Sequence, residues 1–482
     1  MRLVLAVLLA SAALAAADVV STDTYKCDPS KCKPPTCMCA SNSPPGGLTA
    51  DQMPQFILLS HDNALDGLPY ALMQGVLGNK TQENGCNVPV TWFAMFYHSD
   101  CNAATKALAR GDEVAMQTNR FNPTDPFTAT DPAPKYDSRD PKTGEPSVEV
   151  EITMSRKHWN EYCGIPYRHM VGFRAPNYYN NPAIRKTLSK NGYLYDATII
   201  ERWYTNSPTS PAEDQVLFPY TMDSGIPQEC GFMGPDVGKC NAGENYAGLW
   251  EVPLTQLQEG DTMYGVGSYG DTKSGLPAIK DMEAFLKKQL DGRMANGRVP
   301  LQISTHYGWM AGEKVDPACS DAGCEKFPSE NAKALGKFIT YALKMPEVRF
   351  ITYSDFVRWM QDPVPLEEFD EWVQCSVPGI KADMTAVNLT ASEKALSFYM
   401  TNGVTAAPAP APVATPVVPT PAPVAAPTPA PVPTTAPVPT TAPVAAPTPA
   451  PAPAPTPAAG ATTISSAVAA AAALLGALLL AL

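Results

Sequence analysis

Residues 55–66 read QFILLSHDNALD. Phe56 to Leu59 form a short apolar run, suited to a strand buried on both faces as in a parallel sheet. Ser60, His61, Asp62 and Asn63 follow at once, so polar side chains gather where such a strand surfaces. In α/β barrels and open parallel sheets the carboxyl ends of strands carry the chemistry, and this junction is the first candidate site. Taken alone, Asp62 and Asn63 also read as turn-capping residues, and His61 as an exposed side chain.

From residue 55 to residue 375 short apolar runs alternate with longer amphipathic stretches, the pattern of an α/β domain with a mainly parallel sheet. Helices are expected over 68–77, 101–110, 147–162, 181–191, 278–290 and 331–343. Strands are expected over 88–97 (VPVTWFAMFY), from Gly111 (GDEVAMQ), from Tyr193 (YLYDATI), over 248–253 (GLWEVP), before His306 in VPLQISTHYGW, and from Val348. The stretch 122–146, rich in Asp, Pro, Thr and Lys without periodicity, reads as a surface loop.

The ends differ from this middle. Met1-Arg2 followed by LVLAVLLASAALAAA has the charged start, apolar core and small residues of a signal peptide, 1–17, too short for a membrane-spanning helix. Twelve cysteines in an exported chain predict disulfides, with Cys27, Cys32, Cys37 and Cys39 forming a local knot in a Cys-rich segment, 18–50. Cys230 and Cys240 bracket a loop suited to another bridge. A connecting segment, 376–404, leads to a stretch over 405–460 that is almost entirely Ala, Pro, Thr and Val. Such a tract cannot bury a core and is expected to be a disordered, polyproline-like stalk, reaching on the order of 150 Å if stiff. The apolar end within 461–482 reads either as a transmembrane helix or as the removable signal for a glycolipid (GPI) anchor. The small residues Ala458, Ala459 and Gly460, with no basic residue after the apolar stretch, favour the anchor. Net charge is −12 with no basic run, which argues against a nucleic-acid partner.

The cysteine-rich lead, the PPGGL turn and the strand entering SHDN resemble the start of insect-type chitin deacetylases, members of the polysaccharide deacetylases (carbohydrate esterase family 4, the NodB-homology group). The resemblance implies a distorted (β/α) barrel over 51–375, of the glycoside hydrolase/deacetylase type, acting on chitin-like N-acetylated polysaccharide. In that family the strand ends T-F-D-D; its first aspartate is the catalytic base and its second binds the metal. Aligned on Asp62 as the second, the base position falls on His61 and the metal position on Asp62. The family segment G-H-E-I-x-x-H-T-x-x-H meets GDEVAMQTNRF here, so its two histidine ligands are replaced by Gln117 and Phe121. Arg174 in RAPNY resembles the R-x-P-Y arginine that orients the base, and His306 resembles the L-x-H general acid. Glu251 in WEVP is the nearest candidate to orient that histidine. Zinc prefers nitrogen and sulfur donors in a tetrahedral set, so Asp62 with Gln117 makes a poor site. The expectation is a cell-surface protein with a retained groove, no zinc unless the family site persists in altered form, and weak or lost deacetylase activity. An active deacetylase with unusual ligands is the alternative.

Overall fold

The computed structural model describes residues 25–375, except 98, 120–147, 202–215, 229, 231–237, 242, 261, 268, 270–275 and 312–327. The expected leader, connecting segment, stalk and anchor signal, the loop 122–146, and Phe121, Cys319 and Cys324 lie outside the described residues.

β1 (Gln55–Asn63) is nine residues long and runs on through the polar SHDN. It is longer than the apolar run because it pairs in parallel with three strands. β2 (Thr91–Ala94) takes its upper half, Ser60–Asn63, and β11 (Val348–Phe350) its lower end, Gln55–Ile57. β10 (Leu301–His306) runs beside Ile57–Asp62. The sheet continues from β2 through β3 (Glu113–Met116), β4 (Gly172–Phe173), β5 (Tyr195–Asp196) and β7 (Trp250–Glu251), all parallel, to an antiparallel β6 (Tyr220–Thr221). A separate hairpin pairs β8 (Leu257–Glu259) with β9 (Thr262–Tyr264). The alternating α/β order and the curled, incomplete sheet make a distorted (β/α) barrel.

The helices stop and start where their caps dictate. Asp66 caps α1 (Gly67–Leu77), Asp100 caps α2 (Cys101–Arg110), and Asn181 caps α4 (Pro182–Lys190), where Pro182 fills a position whose N–H needs no partner. α3 (Val148–Cys163) precedes α4. Asp281, Ser329 and Thr352 cap α5 (Met282–Ala295), α7 (Glu330–Ala342) and α8 (Tyr353–Gln361). The short α6 (Tyr307–Ala311) continues directly from β10, and α9 (Leu366–Trp372) follows α8.

Strand alternation divides the core in two. Ile57, Leu59, Trp92, Val114 and Met116 pack outward with residues of α1, α2 and α7. Phe56, Leu58, Phe93, Ala115, Tyr195 and Trp250 face the barrel interior, where Phe356, Val357 and Trp359 of α8 join them. The cysteine knot is Cys27–Cys39 with Cys32–Cys37, and Cys230 pairs with Cys240. Cys101–Cys163 ties α2 to α3, and Cys86–Cys375 closes a span of 289 residues. Gly111, with φ +96°, lies where a Cβ would stand 2.5 Å from the Cys375 carbonyl, so no larger residue fits.

Gly172 carries the sheet across the barrel interior. A Cβ there would fall 2.1 Å from the Tyr195 ring, which is buried and bonded to Glu113. Gly172→Ala is expected to cost about 2–3 kcal/mol by overpacking. Chemical denaturation of the two proteins checks this, and an unchanged midpoint contradicts the packing described.

Candidate functional site

Arg174 follows β4 and reaches the barrel axis with no exposed surface. Its Nη1 donates to Asp62 Oδ1 at 2.8 Å, Ser60 Oγ at 3.1 Å and Ser304 Oγ at 2.8 Å. Nη2 donates to the Tyr353 hydroxyl at 3.0 Å, and Nε to the Ala197 carbonyl at 3.1 Å. Its guanidinium lies 3.8 Å from the centre of the Phe93 ring. Burial alone would favour a neutral arginine, but the Asp62 carboxylate and the surrounding hydroxyls hold the proton more firmly than usual. The partners on β1 and β10 follow from alternation: Phe56, Leu58, Ser60 and Asp62 share the interior face of β1, and Ser304 faces them from β10.

The same alternation corrects the expected role of His61. His61 points to the other side of the sheet, its ring 5.1 Å from Trp92, and it is 1% exposed. Thr305 Oγ1 donates to the Ser60 carbonyl at 3.0 Å, so His61 Nδ1 is the donor to Thr305 Oγ1 at 2.9 Å. Nε2 is left buried without a partner. Burial, with the nearby charge of His306 added, lowers the His61 pKa to about 3. A side chain so placed does not face the barrel interior as a base.

Asp62, aligned to the metal-binding aspartate, has its carboxylate in an ion pair with Arg174. Asp62 thus stands beside the arginine, with Asn63 next along the strand. Asn63 ends β1 at φ +87°, and Asn177 and Tyr178, just after Arg174, have φ of +51° and +57°. Three of the four non-glycine residues at positive φ among those described thus sit at this rim, where strained backbone commonly marks a built site. Tyr178 donates to the Val266 carbonyl at 3.0 Å and lies 3.5 Å from Asp62 Oδ2.

Gln117 continues the interior-facing series Glu113 and Ala115 just past the end of β3; it is 2% exposed and its Oε1 has no partner. His306, half-buried, ends β10 in register with Asp62, and its Nδ1 lies 3.4 Å from the Trp309 amide. Arg174, Asp62 and His306 are brought to one end of the barrel. Glu251 is not placed to orient His306: it faces outward on β7, in register with Asp196, and accepts from the Ile199 amide. Burial and the Asp196 charge raise its pKa well above the usual range.

The donors do not suit zinc. Asp62 is committed to a guanidinium, Asn63 and Gln117 are neutral amides, and Phe121 has no donor atom. Among the described residues one grouping of three metal-binding side-chain types exists, the sulfurs of Cys27, Cys32 and Cys39, within 4.8 Å of one another. All three are in disulfides, and a disulfide sulfur is not the thiolate that binds a metal. Ser60, Ser304 and Tyr353 were not foreseen as part of the site. Counting alternate residues back from Asp62 finds Ser60; no local signal marks Tyr353.

No protein-family model matches the chain. Chitin deacetylase 1 of Bombyx mori is 23% identical over 357 residues, covering 71% of this chain and 59% of that protein. Chitin deacetylase 8 of Bombyx mori is 22% identical over 372 residues, covering 76% of this chain and 86% of that protein. The chain is thus a distant homologue of the polysaccharide deacetylases, and it spans less than two thirds of the first relative's length. Among solved structures, a Mycobacterium smegmatis protein assigned as a polysaccharide deacetylase aligns at 15% identity and a TM-score of 0.38, covering 67% of this chain and 95% of that one. A 4-alpha-glucanotransferase from Thermococcus litoralis aligns at 12% and 0.35, covering 65% and 41%.

A histidine kept neutral in the fold makes stability depend on pH. His61 is neutral in both states above its unfolded pKa of 6.5. As pH falls from there towards about 3 the unfolded chain takes up a proton that the folded chain does not, and stability is lost. Against His61→Gln, the native protein should lose on the order of 4 kcal/mol between neutral pH and pH about 3. Parallel denaturation curves for the two proteins across that window would place His61 in a solvated position instead.

Proposed function

We propose that this chain is a secreted, surface-tethered protein that holds chitin-like N-acetylated polysaccharide in a deacetylase-type groove, with weak or no turnover. The observation that carries this reading is the combination at one rim. Arg174 and Asp62 remain paired, while the positions aligned to metal ligands offer only Asn63, Gln117 and Phe121.

Asp62 then stands where the family has its catalytic base, held by Arg174, and His306 stands as the proton donor to a leaving amine. The missing part is the activation of water. Metal binding lowers the pKa of water from about 15.7 to about 7, roughly 12 kcal/mol of proton affinity at 1.36 kcal/mol per unit. A carboxylate and an imidazole do not supply that, so hydrolysis of an unactivated acetamide is slow. Binding needs less. Gln117 Oε1, a buried acceptor without a partner, suits the N–H of an acetamide, and Tyr178 lies beside Asp62 at the same rim. The leader, the Pro-rich stretch and the apolar end of the sequence support secretion and a glycolipid tether on the outer surface.

Cosedimentation with chitin, together with acetate release from chitin oligomers, tests both halves of the proposal. The protein should be retained on chitin and release acetate no faster than background. Chelator-sensitive acetate release would favour an active deacetylase with unusual ligands, and loss of retention would remove the polysaccharide.

A further inference from the structure

Two tripeptides in the chain have the form Asn-x-Ser/Thr with a middle residue other than proline, Asn79-Lys80-Thr81 and Asn388-Leu389-Thr390. The second lies outside the described residues. The first falls in the turn that leaves α1 and leads to β2. Its flanks are fastened inward. Lys80 folds back on the helix, its Nζ donating to the Val76 carbonyl at 2.9 Å and the Leu77 carbonyl at 3.2 Å, two acceptors left open where α1 ends. Gln82 is fixed to β11, its Nε2 donating to the Phe350 carbonyl at 3.0 Å and its Oε1 accepting from the Phe350 amide at 2.8 Å. With Lys80 and Gln82 held inward, Asn79 and Thr81 are left exposed. Among the described residues neither side chain is hydrogen-bonded.

Five disulfides are formed among the described residues, and such bridges form and persist in the oxidising compartments that exported chains pass through. Cys86, just beyond the tripeptide, finds its partner Cys375 only 289 residues further along, so this segment is synthesised well before its bridge can close. An incoming transferase therefore meets it as open chain. Because β1 and β2 are parallel neighbours, α1 returns from the carboxyl end of β1 to the amino end of β2. Asn79 thus lies at the end of the barrel opposite Asp62, Arg174 and His306. A bulky substituent there leaves the polar rim uncovered.

We propose that Asn79 is a site of asparagine-linked glycosylation; the assignment rests on the secretion reading above. Asn79 Nδ2 forms a bond to the anomeric carbon of an oligosaccharide carried on a polyprenyl diphosphate. The carbon–oxygen bond to the diphosphate breaks, the diphosphate leaves with the electron pair, and the amide nitrogen gives up one proton to the transferase. The Thr81 hydroxyl completes the tripeptide that the transferase recognises.

Peptide mapping by mass spectrometry tests the assignment on the full chain expressed in eukaryotic cells. Treatment with an amide-cleaving glycosidase in heavy-oxygen water turns a glycosylated asparagine into labelled aspartate. The exported chain should carry that label at position 79. Asn79→Gln and Thr81→Ala should each lose the label there and run faster on electrophoresis by the step of one glycan. Thr81→Ala keeps the asparagine, so it separates the modification from any effect of the Asn79 side chain itself. An exported chain with unlabelled asparagine at position 79 overturns the assignment and leaves the secretion reading standing. A chain kept in the cytosol with the same residue unmodified overturns both.

Discussion

A guanidinium has five N–H donors and a charge it does not give up, so burying one fixes the identity and position of everything around it. Arg174 is such a group. Its donors reach β1 through Ser60 and Asp62, β10 through Ser304, the residue after β5 and Asp196 through the Ala197 carbonyl, and α8 through Tyr353. Removing one partner of a buried pair leaves an uncompensated charge, which typically costs about 3–5 kcal/mol. The curled sheet therefore has a polar bolt across its axis as well as an apolar filling. The Phe93 ring, 3.8 Å from the guanidinium, belongs to both.

That bolt also explains which polar groups gather at the carboxyl end of the barrel. The carboxylate on the interior face of β1 belongs to the arginine, and the next residue along, Asn63, is an amide in the left-handed region. Strain at Asn63, Asn177 and Tyr178 is concentrated where the polar groups converge. A second set of buried acids lies on the outer side of the sheet. Asp196 is raised to about 6 and Glu201 to about 7, chiefly by burial, and one oxygen each of Asp196 and Glu251 has no partner. Carboxyls raised in this way stabilise the fold at low pH and lose that contribution as pH rises through those values, opposite in sign to His61.

Much of the architecture was legible. The apolar run at 56–59 marked the central strand, and α2 spans the expected 101–110 because Asp100 and Gly111 punctuate it. The stretch 88–97 shortened to Thr91–Ala94, since only those residues find strand partners on both sides. The faces taken by His61 and Asp62 were not legible. FILL looked like the whole strand, which left His61 and Asp62 outside it and free of the alternation rule. Extending the period of two from Phe56 puts Asp62 inside and His61 outside, as observed. The role of Tyr353 depends on β11 and α8 folding back beneath β1, a long-range contact that no local pattern encodes.

On the proposed function, Asp62 is held by Arg174, and Asn63 and Gln117 leave zinc without a set of donors. Thermal unfolding with and without excess zinc tests it most directly, because a ligand present at about 100 times its Kd adds about 2.7 kcal/mol to the folded state. The native protein should show no shift, and the variant combining Asn63→Asp, Gln117→His and Phe121→His a zinc-dependent rise. A chelator-reversible rise in the native protein would contradict it.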